Sequence, residues 1–554
     1  MLRYWRYHYV VKANDPLYPF SRTPVATLLG FEKNHLEFVQ KPGTLSLLIE
    51  DLIKMPQRIK VIDLFAGPGG LGEGFASVGP NHAPTFKIAV SVEKEASAHK
   101  TLTLRAFTRE FQNRVLPEAY YQYVRGEITK ECLVEKYPAE WRAANTETLG
   151  QPTALGEDNG IIHEAIDKAL GENKSPWVLI GGPPCQAYSL VGRARNSGTK
   201  DYVAEQDGRH FLYKEYLDII EKFKPSIFVM ENVKGMLSST PSGEPIFDKI
   251  LGDLKNPNVD GLEYKIFSLS SLPTSYQNGN PILPPREFIV KAENYGVPQA
   301  RHRVILVGVR SDSDICPETL LLSAQSEVHL NTVLTEMPKI RSGLSKNDSF
   351  NRWSELVKAS LEESQMHIQD LLSFAPAIDF TDSRGKKFIP LDHYPLSSNV
   401  PKSLYNWLRD VRLGGIVDHE TRGHMDSDIS RYAFVASFGE QLGRSPRLAD
   451  FPDDLLPNHK NVKSNKFVDR FKVQLKNKPA TTITSHISKD GHYYIHYDVS
   501  QCRSLTVREA ARVQTFPDNY YFEGNRTQQY VQVGNAVPPY LAKQIAEKLV
   551  TIFT

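Results

Sequence analysis

The sequence predicts an α/β protein built on a doubly wound sheet, and three observations carry that expectation. Short apolar strands alternate with helical stretches over roughly the first 310 residues. A glycine-rich turn, Gly67-Pro68-Gly69-Gly70-Leu71-Gly72, follows the first of these strands. Two later strands, 177–180 and 226–230, run into Gly181-Gly182-Pro183-Pro184-Cys185-Gln186 and Glu231-Asn232-Val233. A thiol and a carboxylate thereby sit at the carboxyl ends of two strands, the edge at which open α/β sheets bind ligands.

Taken in order, 60–65 is a short apolar strand, and a helix follows the glycines. The strand 87–92 ends in Glu93, and 94–109 reads as a helix. The polar, tyrosine-rich stretch 110–176 reads as mostly helical. A helix is expected over 211–222, between the two strands that end in Cys185 and Glu231. Segments 287–292 and 303–309 read as a pair of strands. From 311 to 479 the chain is rich in Ser, Asp, Asn, Pro and Lys without a clear period, and reads as a second, smaller, irregular domain. Order returns at 478–482 and 505–516, and an amphipathic helix over 539–552 closes the chain by packing back on the sheet. The expected organisation is an N-terminal extension, 1–58, a main domain, 59–310, the irregular domain, 311–479, and a returning segment, 480–554. In the extension, Tyr4-Trp5-Arg6-Tyr7-His8-Tyr9 alternates aromatic and basic residues. It reads as an edge strand packed on the core, with a nucleic-acid-binding arm as the alternative.

Bulk composition narrows the classes. Hydrophobic residues make up 40% and charged residues 23% of 554, so a large core is expected and global disorder is not. Lys+Arg is 66 against Asp+Glu 64, a net charge of +2, so any nucleic-acid surface must be a local patch. The four cysteines, 132, 185, 316 and 502, form no CxxC pair. Neither a disulfide framework nor a metal site is expected. No apolar run approaches about 18 residues and no secretory h-region opens the chain, so a cytoplasmic protein without a membrane span is expected.

The motifs carry the chemistry. Gly67, Gly69 and Gly72 with Glu93, an acid at the end of the second strand, suit a nucleoside cofactor without saying which. Cys185 and Glu231 suit covalent chemistry, a thiolate nucleophile with a carboxyl group to manage a proton. Gly192, Arg193, Arg195, Gly198, Lys200 and Arg209 read as a loop able to close on a phosphate backbone, or as a solvated loop. Arg301 and Arg303 lie two apart in an extended segment and so share a face; they suit a carbonyl oxygen or a carboxylate, or are surface charges. Gln532 to Pro539 is a turn before the last helix.

Together these residues resemble the cytosine-C5 DNA methyltransferases. The resemblance rests on Asp63-Leu64-Phe65-Ala66-Gly67-Pro68-Gly69-Gly70, Pro183-Pro184-Cys185-Gln186, Glu231-Asn232-Val233, Gln299-Ala300-Arg301-His302-Arg303, the run 505–517 and the run 532–538, in the family's order. It covers about 59–310 and 479–554. It implies a Rossmann-like methyltransferase sheet, S-adenosylmethionine as cofactor and duplex DNA as partner, with a flipped-out cytosine as target. It makes Cys185 the thiolate that adds to carbon 6, Glu231 the partner of N3 and the exocyclic amine, and Arg303 the partner of O2, with Arg301 in support. Phe65 would lie against the cofactor and Gly67, Pro68, Gly69 and Gly70 would form its loop. Glu93 would take the ribose hydroxyls, and Pro184, Leu212, Asn535 and Ala536 would complete the pocket. Ser189, Arg193 and Arg209 would contact phosphates, with Gln186 beside the flipped base. The region 311–479 would be the target-recognition domain. A cognate restriction endonuclease is a partner of the same kind of system. Lys94 departs from members that carry an aromatic there. The alternatives are an RNA cytosine-5 methyltransferase, a non-catalytic DNA-binding subunit of the same fold and, from the glycine loop alone, a nicotinamide-dependent oxidoreductase.

Overall fold

Val61, Ile62 and Leu64 are completely buried, which is the signature of a strand covered on both faces. In the computed structural model they lie on β1 (Ile59–Leu64), in the middle of the main sheet. The structure describes residues 58–172, 175–184, 212–239, 246–259, 261–313, 316–368, 379–391, 400–457 and 470–553. The expectations for the N-terminal extension and for 185–211 fall outside these residues.

The sheet contains β1, β2 (Phe86–Val92), β3 (Trp177–Gly181), β4 (Ile227–Val233), β5 (Tyr264–Phe267), β8 (Ile289–Lys291) and β10 (His302–Arg310). Its order is β2-β1-β3-β4-β10-β5, with β8 also paired to β10. The first four strands are parallel; β10 runs antiparallel to β4, β5 and β8. Short pairs lie outside it: β6 (Ser275–Gln277) with β7 (Asn280–Ile282), and β9 (Gln299–Ala300) with β15 (Ala480–Thr481).

Alternate residues of each strand feed two cores. On one face Ile62, Leu64, Leu179, Phe228, Met230 and Leu306 pack under α6 (Asn159–Leu170), α7 (Leu212–Phe223) and α8 (Ile246–Lys255). On the other, Val61, Val178, Ile180, Val229 and Val307 meet α1 (Gly70–Ala76) and the last helix, α15 (Pro539–Phe553). The stretch 110–176 supplies α3 (Glu118–Arg125), α4 (Lys130–Lys136), α5 (Pro138–Glu147) and α6, following α2 (Ala96–Arg109). α2 starts two residues later than the pattern suggests because Glu95 acts as its N-cap, accepting from the Ala98 N–H at 2.7 Å.

The stretch 311–479 holds more helix than its composition announces. It has α9 (Leu330–Leu334), α10 (Phe350–His367), α11 (Lys402–Leu408) and α12 (Asp426–Leu442), and the pairs β11 (Gly343–Leu344) with β14 (Gly423–His424) and β12 (Gly385–Pro390) with β13 (Gly415–Glu420). α12 buries Ile429, Tyr432, Ala433, Phe434, Val435, Ala436 and Phe438, nearly all round its middle, so no one-sided period shows. α10 buries Ser360 and Ser364 beside Trp353, Val357 and Leu361. Those serines read as polar in sequence, yet Ser360 bonds Ser430 at 2.9 Å and Ser364 bonds the Ser360 carbonyl at 2.6 Å. Two more helices, α13 (Val507–Val513) and α14 (Arg526–Asn535), precede α15.

The tightest helix contact joins the two ends of the sheet domain. A Cβ added at Gly74 of α1 would stand 2.4 Å from Cβ of Ala542 and 2.5 Å from the backbone nitrogen of Lys543, in α15. Gly74→Ala should therefore lower the unfolding free energy by about 1–3 kcal/mol in urea titrations. Gly160→Ala, whose methyl would meet nothing within 4 Å, should not lower it.

Candidate active site

The strand order reverses at β1, which has β2 on one side and β3 on the other. The crevice beyond the carboxyl ends of β1 and β3 is thus the switch point at which a doubly wound sheet binds ligands. The glycine turn leaves β1 and the Pro183-Pro184 segment leaves β3, so both open onto this crevice.

The turn is fixed from three sides. Phe65 (φ 56°), Gly67 (φ 58°) and Gly69 (φ 98°) take left-handed backbone conformations, a cost at Phe65 that the glycines avoid. The Gly67 N–H donates to Glu93 Oε2 at 2.8 Å and the Glu95 N–H to Glu93 Oε1 at 2.6 Å, so the carboxylate is held between the turn and the start of α2. Burial raises the pKa of Glu93. The Tyr520 hydroxyl donates to the Pro68 carbonyl. A Cβ at Gly70 would come within 2.4 Å of the Val537 carbonyl oxygen and 3.4 Å of Cβ of Ala536. The turn and the 536–537 segment therefore touch, 466 positions apart for Gly70 and Ala536 (536 − 70). Nothing lies within 4 Å of a Cβ built on Gly67, so its outer side is open.

Beneath the turn, Asp63 is fully buried. Its carboxyl oxygens make no hydrogen bond; the Gly72 N–H lies toward them without closing one. Burial pushes its pKa up to about 8, against the opposing charge of Arg109. The open side of Gly67 beside Glu93 suits this half of the crevice to a polar group.

The second half is built on β4 and β10. Glu231 Oε1 and Arg303 Nε are 2.8 Å apart, with side chains 13% and 15% exposed. A Cβ at Gly182 would lie 2.9 Å from Glu231 Oε2, so the backbone there passes close to the carboxylate. The Asn232 amide donates to the Pro183 carbonyl at 3.1 Å. The chain leading to Cys185 thus passes directly against the carboxylate–guanidinium pair. Pro184 is half-buried, and Leu212 opens α7 half-buried. Cys185, Gln186, Ser189, Arg193 and Arg209 lie outside the described residues.

Arg301 stands apart from the pair. Its guanidinium is buried and donates to the Ile483 carbonyl at 2.8 Å and the Gly534 carbonyl at 3.4 Å. Its hydrogen bonds are to backbone carbonyls, and its charge is within electrostatic range of Arg303 and Glu231. Gln299 and Gln514 join it, and a third glutamine, Gln532, ties the neighbouring segment to α2. Gln299 bonds Gln514 at 2.7 Å and accepts from the Ile483 N–H at 2.7 Å. Gln514 donates to the carbonyls of Val533 (2.7 Å) and Ala536 (3.2 Å). Gln532 accepts from Thr101 at 2.6 Å and donates to Ser97 at 3.2 Å and the Glu523 carbonyl at 2.8 Å. Ser97 in turn donates to Glu95 at 2.5 Å. Ala536 is buried and Asn535 exposed beside the turn. Among the described residues, the grouping close enough to hold a cation, Glu363, His367 and Asp454, belongs to α10 and a later turn, not to this site.

A glycine turn and acid at the switch point, with a carboxylate–guanidinium pair two strands away, define a Rossmann-like methyltransferase architecture. The model of the C-5 cytosine-specific DNA methylases matches residues 156–551. The Type II methyltransferase M.Bpa9945I of Bacillus paralicheniformis is 34% identical over 505 residues, 88% of this chain and 97% of its own length. The DNA (cytosine-5-)-methyltransferase M.ApeKI of Aeropyrum pernix is 26% identical over 532 residues, 89% and 99% of the two chains. The chain belongs to the C-5 cytosine-specific DNA methylase family and is a DNA cytosine-5 methyltransferase. Among the described residues no helix is long and apolar enough to cross a membrane.

Asp63 gives the cofactor-free protein a pH signature. Its folded pKa, about 8, lies above its unfolded value of 3.8, so the neutral form is favoured by folding and stability is lost as pH rises through that window. From pH 6.5 to 8, wild type should lose stability relative to Asp63→Asn by up to about 1.4 kcal/mol per pH unit, read from urea midpoints at each pH. A constant difference would show that Asp63 is ionised in the fold.

Proposed function

We propose that the chain methylates carbon 5 of a flipped-out cytosine in a specific duplex sequence, with Cys185 as covalent nucleophile and S-adenosylmethionine as methyl donor. The observation that carries this reading is the Glu231–Arg303 pair against Gly182 and Pro183, two residues before the thiol. Carbon 5 of cytosine is a poor nucleophile. Addition of the Cys185 thiolate to carbon 6 makes carbon 5 enamine-like, and Glu231 supports it by holding a proton at N3 and bonding the exocyclic amine. Arg303, aligned by Glu231, bonds O2 and stabilises charge developing on the ring. Carbon 5 would then take the methyl group from the sulfonium, and loss of its proton would expel the thiolate and restore the aromatic ring.

The bound cofactor supplies an electrophilic methyl on a sulfonium centre. The residues beside the glycine turn fit such a group. Glu93 is placed to take ribose hydroxyls, Gly67 leaves open space, and Phe65, Pro68, Gly69, Gly70, Pro184, Leu212, Asn535 and Ala536 would enclose the remainder. Gln186, Ser189, Arg193 and Arg209 would meet the DNA, and 311–479 would read its sequence in the major groove. The Type II names of the relatives support pairing with a restriction endonuclease.

Wild type and Cys185→Ala, expressed in a host without cytosine methylation, should differ completely. Genome-wide mapping should show 5-methylcytosine at one recurrent short sequence in wild type and none in the variant. A 5-fluorocytosine duplex should trap wild type as an adduct stable in denaturing gels. Methylation by Cys185→Ala would remove the thiol from the mechanism.

The chain Glu93–Glu95–Ser97–Gln532 links the two walls of the cofactor site. Gln532→Leu forfeits three hydrogen bonds, so KM for S-adenosylmethionine should rise about tenfold or more, at roughly 1 kcal/mol per bond. DNA affinity and kcat at saturating cofactor should stay within about twofold of wild type. A loss confined to kcat would place Gln532 elsewhere in the reaction.

A further inference from the structure

Strand β5 and strand β8 occupy one line along β10. β5 leaves at Phe267, opposite Val307, and β8 rejoins at Ile289, opposite Val304. Residues 268–288 are therefore an excursion from an edge strand, level with Ile305, the partner of Glu231 across β10 and β4. Two strand spacings put its root about 10 Å from β4. It packs firmly at that root. Leu283 and Phe288 join the cluster containing Met236, just after Glu231, and the rings of Phe288 and Phe247 are 5.8 Å apart.

The outer part is a rigid hairpin. Asn278 (φ 50°) and Gly279 (φ 77°) form the two-residue turn that suits the twist of paired strands. Thr274 closes the base on the Ile282 carbonyl at 3.0 Å. Despite this order, the first arm, Ser275–Gln277, is exposed throughout, and Tyr276 is 56% exposed. The hairpin itself, 274–282, contains no acidic residue. Residues 264–286 include Lys265 and Arg286 and no Asp or Glu. Glu287, at the root and a third exposed, accepts from Ser271 at 2.5 Å and pairs with Arg286 at 3.3 Å. What the tip offers is Ser275, Tyr276, Gln277, Asn278 and Asn280, the uncharged donors that bind phosphate oxygens.

We infer that the hairpin 274–282 is a DNA-backbone contact on the duplex flanking the target base. The inference rests on the DNA-methylation reading. A duplex held with its target base at Glu231 would pass a preformed, acid-free arm rooted two strands away. Phosphate contacts made there position the enzyme and carry no sequence information.

The test adds charge at the tip, where folding is insensitive. Gln277→Lys, Gln277→Glu and Tyr276→Ala are compared with wild type on a 30-bp duplex centred on the mapped target and on a 10-bp duplex. Affinity is read by fluorescence anisotropy over a range of salt. On the long duplex, Gln277→Lys should bind more tightly and steepen the log–log salt slope by about one, while Gln277→Glu should bind about 3–10-fold more weakly. Tyr276→Ala should weaken binding in the same direction. All should match wild type on the short duplex and in KM for S-adenosylmethionine. Charge variants that bind the long duplex as wild type does would overturn the inference while leaving the methylation reading intact. Altered self-association by sedimentation with unchanged DNA affinity would overturn it by assigning the hairpin to a second copy of the chain. A wild type that binds no duplex and methylates none would instead overturn the underlying reading, and the inference with it.

Discussion

The carbonyls of residues 533–536 are claimed by side chains from two distant parts of the chain, and the geometry of the whole crevice depends on this. Gln514 takes Val533 and Ala536, Arg301 takes Gly534, and Gln299 ties Gln514 to the Arg301 strand. Arg301 and Gly534 are 233 positions apart. Because Arg303 follows two residues later on β10, the same bonds set the Glu231 partner and the wall beside the glycine turn. A buried carbonyl without a partner costs about 1–3 kcal/mol, so these contacts hold only as a set.

A second layer of buried charge extends this to the region 311–479. Arg503 meets both oxygens of Glu509 at 2.7 Å, and Arg512 and Arg409 converge on Asp518. Arg508 donates to the carbonyls of Val417, Pro517 and Tyr520. These arginines also reach Ile340 and Val333, so the run 503–518 acts as a buried staple between segments far apart in sequence. Fully desolvated ions tolerate little displacement, since a broken pair leaves an unpaired charge behind. Beside them, burial keeps His419 and His496 neutral, holding each pKa near 4. Neither histidine therefore adds a positive charge to this set at neutral pH.

Rigidity is unevenly distributed around the crevice. The turn after β1 is locked by Glu93, Tyr520 and the close approach of Val537, and the start of the segment after β3 is locked by Asn232 and Glu231. Transfer of a methyl group to a base needs such fixed walls, because reaction requires the reacting atoms within about 3–3.5 Å. The hairpin 274–282 adds a third fixed feature at the same edge of the sheet.

The sequence by itself determined the sheet and its chemistry-bearing edge. Apolar runs of strand length, the glycines at 67 and 69, and Glu93, Glu231 and Arg303 are legible because each obeys a local rule: burial on both faces, positive φ, or a charged group at a strand end. The resemblance carried by its ordered motifs pointed to the family. Tertiary structure alone decided how distant pieces meet. Arg301 reads as a partner of Arg303 by spacing, yet faces Ile483 and Gly534. Asp63, Gln514 and Gln532 read as ordinary polar residues, and only burial makes them consequential. The helices α10 and α12 were hidden because serines on one buried face and apolar residues all round the other erase the one-sided period. In each case the deciding quantity is what a side chain touches across hundreds of positions, which no local pattern encodes.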